Sequence, residues 1–291
     1  LSKAVDSKGI ESAVFALGMA EIPRYYKNYC PPKIIVRAGK LNEEQITFWK
    51  TLYEKGLGEF FYKNSIDYRG LINIEVSPDA PEVQVTNVPL QEKYLVPVGG
   101  GKDSLVTTEL LKEKGKSVTW FMLQPLDWIE KLKEVAGVSE YIKVERSVEK
   151  NFGGFQKLEG AYNGHVPITS VYMFSSALVA LIHGFKYVVF SIERSAEEGN
   201  LTYLGSEINH QYSKTFEFEK AAHEYIQKYV NPELYVFSLL RNLYEVQILE
   251  RFSKYDKYFP YFVSCNKGLK TGKWCGGCAK CAFVFMGLCA F

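Results

Sequence analysis

The stretch Tyr94-Leu95-Val96-Pro97-Val98-Gly99-Gly100-Gly101-Lys102-Asp103-Ser104 constrains this chain more than any other. An apolar, strand-like run feeds directly into three glycines. An acid and a hydroxyl follow, and Leu105 to Lys114 reads as a helix. Glycines let backbone N–H groups curl around an anion. The helix that follows presents its positive end to the same anion. This order therefore predicts a phosphate site at a strand–helix junction. The lysine lacks the G-x-x-x-x-G-K-[ST] context of an ordinary P-loop, and no G-x-G-x-x-G points to a dinucleotide. A turn that merely closes the unit is the plain alternative. Asp103-Ser104 behind three glycines favours phosphate.

Strand and helix patterns alternate after residue 88. Strands are expected over Tyr94–Val98, Ser117–Met122, Tyr141–Val144 and Tyr187–Phe190. Helices are expected over Ser104–Lys114, Leu126–Ala136, Ile168–His183, Ser213–Val230, Glu233–Leu240 and Asn242–Lys254. Alternation at these lengths predicts an α/β fold with a parallel sheet covered by helices. Its ligands bind beyond the carboxyl ends of the strands, where the glycine loop and the Ser191–Ser206 loop lie. Before residue 88 the pattern is mixed. A helix over Glu11–Tyr29 is interrupted at Pro23, and a second starts at Asn42 with Gln45 at the capping-box position. Ser77-Pro78-Asp79-Ala80-Pro81 is turn-rich. The expected division is an N-terminal α+β segment, 1–87, and a main domain, 88–291, that ends in a module over 264–291.

That module holds Cys265, Cys275, Cys278 and Cys281, spaced C-x9-C-x2-C-x2-C. Thiolates three apart on a tight turn aim at one centre, and Cys265 closes the set. Four thiolates suit zinc, with an iron–sulfur cluster as runner-up. A closed site of this kind is structural. Cys30 and Cys289 are left over and default to inert residues. Clustered cysteines suit a reducing compartment, and no leader with a basic start and apolar run is visible, so a cytoplasmic protein is expected. With 35 Lys plus Arg against 33 Asp plus Glu, the chain has no basic field for nucleic acid. No apolar stretch is long enough to span a bilayer. Aromatic residues make up 15%, which fits either a dense core or a stacking surface.

The glycine loop resembles the pyrophosphatase loop (PP-loop) of ATP-pyrophosphatases, Ser-Gly-Gly-x-Asp-Ser, with Gly99 in place of the first serine. A similar cysteine group follows that domain in deazaguanine nitrile-forming synthases. Further segments narrow the resemblance: Pro31-Pro32, Leu57-Gly58-Glu59-Phe60, Gly164-His165-Val166-Pro167-Ile168-Thr169, Ser191-Ile192-Glu193-Arg194-Ser195, Asn209-His210-Gln211-Tyr212-Ser213-Lys214 and Trp274-Cys275 with Cys278-Ala279-Lys280-Cys281-Ala282-Phe283. Together they resemble the UDP-N-acetylmuramoyl-L-alanyl-L-glutamate epimerase family of peptidoglycan synthesis, from about Pro31 to Phe285. Ile192 stands where that family leads one to expect asparagine.

The resemblance implies a PP-loop, adenine nucleotide alpha hydrolase-like fold. It implies ATP and magnesium as cofactors, a UDP-sugar dipeptide as substrate, and AMP and pyrophosphate as products. Gly99, Gly100, Gly101, Ser104 and Lys102 would cradle pyrophosphate, and Asp103 would position magnesium or the loop. His165, His210 and Lys214 are candidates for proton transfer. Glu193 and Arg194 are candidates for metal and carboxylate contacts, and Glu217 and Glu219 for magnesium. Each has a plain structural alternative, as a core histidine or a solvated ion pair; His183 and His223 are left as structural. The competing expectations are another PP-loop enzyme that adenylates a carboxylate or nucleobase, a tRNA-modifying one, or a non-catalytic nucleotide sensor.

Overall fold

The computed structural model describes residues 7–147, 154, 157–199 and 201–291. Asn200, inside the expected Ser191–Ser206 loop, lies outside the described residues. The chain runs α1 (Glu11–Tyr26), β1 (Ile34–Val36), α2 (Glu43–Gly56), α3 (Gly58–Lys63), β2 (Ile74–Val76), β3 (Gln91–Pro97), α4 (Lys102–Glu113), β4 (Val118–Leu123), α5 (Ile129–Ala136) and β5 (Glu140–Val144). It continues through α6 (Ile168–His183), β6 (Phe185–Phe190), β7 (Leu201–Tyr203), β8 (Ser206–Ile208), α7 (Phe216–Tyr229), β9 (Tyr235–Ser238), α8 (Glu245–Ser253) and α9 (Ala279–Ala290).

Two compact units alternate along this sequence. Leu1–Leu90, Ser147–Gly184 and Ala196–Tyr235 form the first; Gln91–Arg146, Phe185–Ser195 and Val236–Phe291 form the second. A single cut near residue 88 does not separate them, because the apolar helix α6 packs on α1 and returns its segment to the first unit.

The first unit is mainly helical and answers the question that the aromatic content raised. Trp49, Tyr53, Phe60, Phe61, Phe174 and Phe218 are fully buried. Trp49 Nε1 donates to Tyr225 Oη at 3.1 Å and packs against the Phe174 ring at 5.1 Å between centroids. The expected capping box at Asn42 and Gln45 is present in both directions. Pro23 does not interrupt α1. The proline removes the donor to Met19 O, and the buried Tyr53 hydroxyl donates to that carbonyl at 2.7 Å instead. β1 and β2 pair in parallel, and β7 and β8 form an antiparallel hairpin.

The second unit holds a five-stranded sheet of order β5-β4-β3-β6-β9. The pairs β3–β4, β3–β6 and β4–β5 are parallel. β4 is buried along its whole length, as a central strand of a two-sided sheet must be. Val96, Leu105, Val106, Trp120, Ile129, Leu132, Val189 and Phe252 make the core between sheet and helices. One element differs in kind: Glu233–Leu240, expected as a helix, contains strand β9. Tyr235-Val236-Phe237-Ser238 is aromatic and β-branched, and the sheet edge beside β6 supplies its pairing.

Candidate active site and metal centre

From β3 the chain moves to β4 on one side of the sheet, while β6 lies on the other side. That reversal is a topological switch point, and the crevice beyond the carboxyl ends of β3 and β6 is where such sheets bind ligands. The loop Gly99–Ser104 follows β3, and Ser191–Arg194 follows β6.

Gly100 has φ +79°, and a Cβ there would stand 2.2 Å from Trp128 Cη2. Only glycine meets both conditions. Gly101 is the N-cap of α4, with φ −88° and ψ 168°, and has no side chain with which to cap it. Ser104 Oγ turns back to Gly101 O at 3.2 Å. Lys102 is fully buried; its Nζ lies 2.6 Å from Asp103 Oδ1 and 3.1 Å from Glu245 Oε1. Burial opposes its charge, but the two carboxylates prevail and hold the ammonium pKa above its ordinary value. Lys102 is thus committed inside the loop's foundation. Glu245 is drawn below the carboxylate range in the same way: burial opposes ionisation, and the charges of Lys102 and Lys280 overcome it.

Beyond β6, the Ile192 N–H donates to Ser238 Oγ at 2.5 Å, which fixes the strand's exit. The Glu193 carboxylate accepts from the Ser195 N–H. The Arg194 guanidinium lies 5.2 Å from the Tyr244 ring centroid, a cation–π contact. Ser191 Oγ is buried and has no hydrogen-bond partner among the described residues.

His165, His210 and Lys214 all belong to the first unit. Three glycines let their segments meet. A Cβ at Gly56 would stand 2.8 Å from Pro167, one at Gly58 3.0 Å from Ile208, and one at Gly164 2.9 Å from Phe60. This close approach gathers Glu59, on the first turn of α3, with His165 and His210. Burial pushes the His165 pKa down, and the charges of His210, Lys214 and Lys63 push the same way, against Glu59. Burial works against ionised Glu59, yet the Lys63 hydrogen bond at 2.5 Å and the nearby His165 and His210 hold its pKa low. His210 Nε2 lies 3.0 Å from Gln211 Nε2. Glu59 and His165 thus feel one another's charge, and both feel His210. Glu217 is tied to Lys55 at 2.6 Å and to the Tyr212 hydroxyl at 3.2 Å, and Glu219 is buried. Neither belongs to a converging group of metal ligands among the described residues.

Cys265, Cys275, Cys278 and Cys281 do converge, with all four sulfurs within 4.8 Å of one another. Pairs 265–278 and 275–281 are 3.7 Å apart, and 278–281 is 3.5 Å apart. Backbone N–H groups, that of Cys275 first, pull the Cys265 thiol down to about 6. The arrangement is ready to hold a metal ion.

The family model for the MurL N-terminal domain matches residues 2–239. This chain belongs to that family. Three relatives carry the name UDP-N-acetyl-alpha-D-muramoyl-L-alanyl-L-glutamate epimerase. The Xanthomonas oryzae pv. oryzae protein is 34% identical over 98% of this chain and 64% of its own length. The Micromonospora protein is 32% identical, over 92% of this chain and 60% of its own length. The Salinispora tropica protein is 31% identical, over 92% and 59% respectively. The chain therefore spans less than two thirds of the length of these relatives. Among solved structures, the U34-tRNA thiolase NcsA from Methanococcus maripaludis with its 4Fe-4S cluster superposes over 63% of each chain, with TM-score 0.40 and 14% identity.

Within this member of the MurL family, sequence reasoning gives Glu59, Glu245 and Ser264 no role. Glu59 does sit inside a family-like segment, and its (i, i+4) spacing from Lys63 is a visible signal. Nothing local marks Glu245 or Ser264, since Lys102, which both contact, lies more than a hundred residues away from each.

Proposed function

We propose that this chain carries the ATP-activating and proton-transfer parts of an epimerase that inverts the terminal L-glutamate of UDP-N-acetylmuramoyl-L-alanyl-L-glutamate. The carrying observation is a glycine loop at the sheet's switch point in a chain of the MurL family. Removing a proton beside an ionised carboxylate would build a dianion. Adenylation masks that charge and acidifies the neighbouring C–H. The attacking carboxylate oxygen takes the α-phosphate of ATP, and pyrophosphate leaves. Proton removal and return to the opposite face invert the centre. Water then cleaves the mixed anhydride to release AMP.

In this scheme Gly99, Gly100, Gly101 and Ser104 receive pyrophosphate at the N-terminus of α4. Asp103 would offer its carboxylate to magnesium, which would neutralise charge on the ATP phosphates. Lys102 braces the loop from below, and Arg194 is the candidate partner for the substrate carboxylate. His210 is the first choice for proton transfer and Lys214 the second. His165 and Glu59 set the charge around them, and Glu193 is the candidate beside the loop. The cysteine knot is proposed to hold zinc. Three of the six sulfur separations, at 3.5–3.7 Å with all within 4.8 Å, suit a tetrahedron with Zn–S of about 2.3 Å, whose edge is roughly 3.8 Å. An iron–sulfur cluster spreads its cysteines over several irons and so sets them further apart. Thiolates kept for a metal and a nucleotide-linked substrate both suit the cytoplasm.

The test is AMP and pyrophosphate release by the purified protein against a panel of acid substrates, with chiral analysis of the glutamate. The expected result is AMP formation that requires the muramoyl dipeptide ending in L-glutamate, with D-glutamate accumulating. ADP as product, or AMP without inversion, sinks the epimerase assignment.

A further inference from the structure

Resting on the nucleotide reading above, we infer that the cysteine knot anchors the phosphate loop, through Ser264 and Lys280 as positioning residues. Ser264 directly precedes Cys265, and Lys280 directly precedes Cys281. The Val263 N–H donates to Gly100 O at 3.0 Å, and the Lys102 N–H donates to Ser264 Oγ at 3.0 Å. Lys102 is the first residue of α4, and its N-cap, Gly101, carries no side chain. Ser264 therefore supplies from a distant segment a side-chain oxygen for one of the helix's four unpaired N–H groups, which the glycine N-cap cannot do. A Cβ on Gly101 would sit 3.1 Å from that same oxygen. The N–H groups left over face the place where pyrophosphate is proposed to bind.

A second strut runs from the other end of the knot. Lys280 Nζ lies 3.2 Å from Glu245 Oε1, which is itself 3.1 Å from the buried Lys102 Nζ. Lys102 closes the chain on Asp103 at 2.6 Å. Each strut thus starts one residue from a cysteine and ends inside the loop. Fixing Cys265 sets the register of Val263 and Ser264, and fixing Cys278 and Cys281 sets Lys280. A metal at the knot then decides loop geometry without touching nucleotide.

The experiment compares wild type with Ser264→Ala, Lys280→Met and Lys280→Arg. Lys273→Ala, a knot residue outside both struts, is the control. Metal content is measured first, and one ion per chain is expected in all five proteins. Amide hydrogen exchange over residues 98–105 without nucleotide is the primary readout. Ser264→Ala and Lys280→Met should speed exchange there by roughly threefold to tenfold, the range for one lost hydrogen bond. Lys280→Arg and the control should leave it unchanged. Calorimetric affinity for magnesium–ATP should weaken by the same factors in the same two variants. Unchanged loop exchange in Ser264→Ala and Lys280→Met, with metal retained, overturns the inference. Wild type that fails to bind magnesium–ATP would defeat the nucleotide reading, and the exchange data would still decide the anchoring.

Discussion

Gly99 and Gly100 are neighbours of identical chemistry under different constraints. Gly100 needs a positive φ and has Trp128 against it, so Gly100→Ala should cost about 3 kcal/mol in denaturant unfolding. Gly99 has no positive φ, and among the described residues no atom beyond its chain neighbours lies within 4 Å of where its Cβ would stand, so space does not explain the lost serine. Gly99→Ser should leave stability within about 0.5 kcal/mol. It should tighten pyrophosphate binding by roughly threefold to tenfold, one added hydrogen bond. A serine that unfolds the protein would refute the open space at Gly99, and one that leaves affinity unmoved would show that the loop does not meet phosphate at that position. The convergence of the four cysteines and the place of the glycine loop after β3 were legible because each lies in one short stretch of sequence. Glu59 was not, because its meaning comes from His165 and His210, brought to it by Gly56, Gly58 and Gly164. His165 adds a pH signature. Its folded pKa is lowered, mainly by burial, so below the unfolded value of about 6.5 the unfolded chain binds more protons. His165 therefore makes stability fall as pH drops from about 6.5 through the folded pKa. His165→Asn should flatten that part of a denaturation-versus-pH curve; an unchanged slope would place the titration elsewhere.

Elements were legible where local chemistry and tertiary context agreed. The capping box at Asn42 and the left-handed Gly137 that ends α5 are both where the residues point. Pro23 and β9 depart from expectation for one reason: the deciding partner is remote. Tyr53 repairs the helix at Met19, and β6 turns Tyr235–Ser238 into a strand. The turn that carries His210 and Lys214 leads into α7 through Thr215. Its Oγ1 accepts from the Phe218 N–H at 3.2 Å and donates to Tyr212 O at 2.8 Å. One hydroxyl thus caps the helix and closes the short turn Tyr212–Lys214. Thr215→Ala should lower stability by about 1 kcal/mol. Thr215→Ser should restore it. Equal losses in both would mean that the methyl group, not the hydroxyl, matters there.

At the scale of the molecule, the sheet and its carboxyl-end loops followed from strand–helix alternation, but the interleaving of the units did not. Alternation reports neighbours in sequence, whereas α6 finds α1 across more than a hundred residues. The division bears on the chemistry. The glycine loop belongs to the second unit, and His165, His210 and Lys214 belong to the first. Activation and inversion should therefore separate in variants. In deuterated water the glutamate α-carbon should gain deuterium only when ATP is present, since in the proposed scheme the C–H bond breaks after the carboxylate is masked. Asp103→Asn and Ser104→Ala should depress AMP formation and deuterium uptake together, because both depend on activation. His210→Asn should reduce uptake by a factor of about 10²–10⁴, on the order expected for a lost general acid–base, while sparing AMP formation. If the loss falls instead on Lys214→Met, the roles of the two residues exchange and the scheme stands. Uptake at full rate without ATP would refute activation before inversion. Retained α-hydrogen during ATP-dependent turnover would assign the loop to another adenylation.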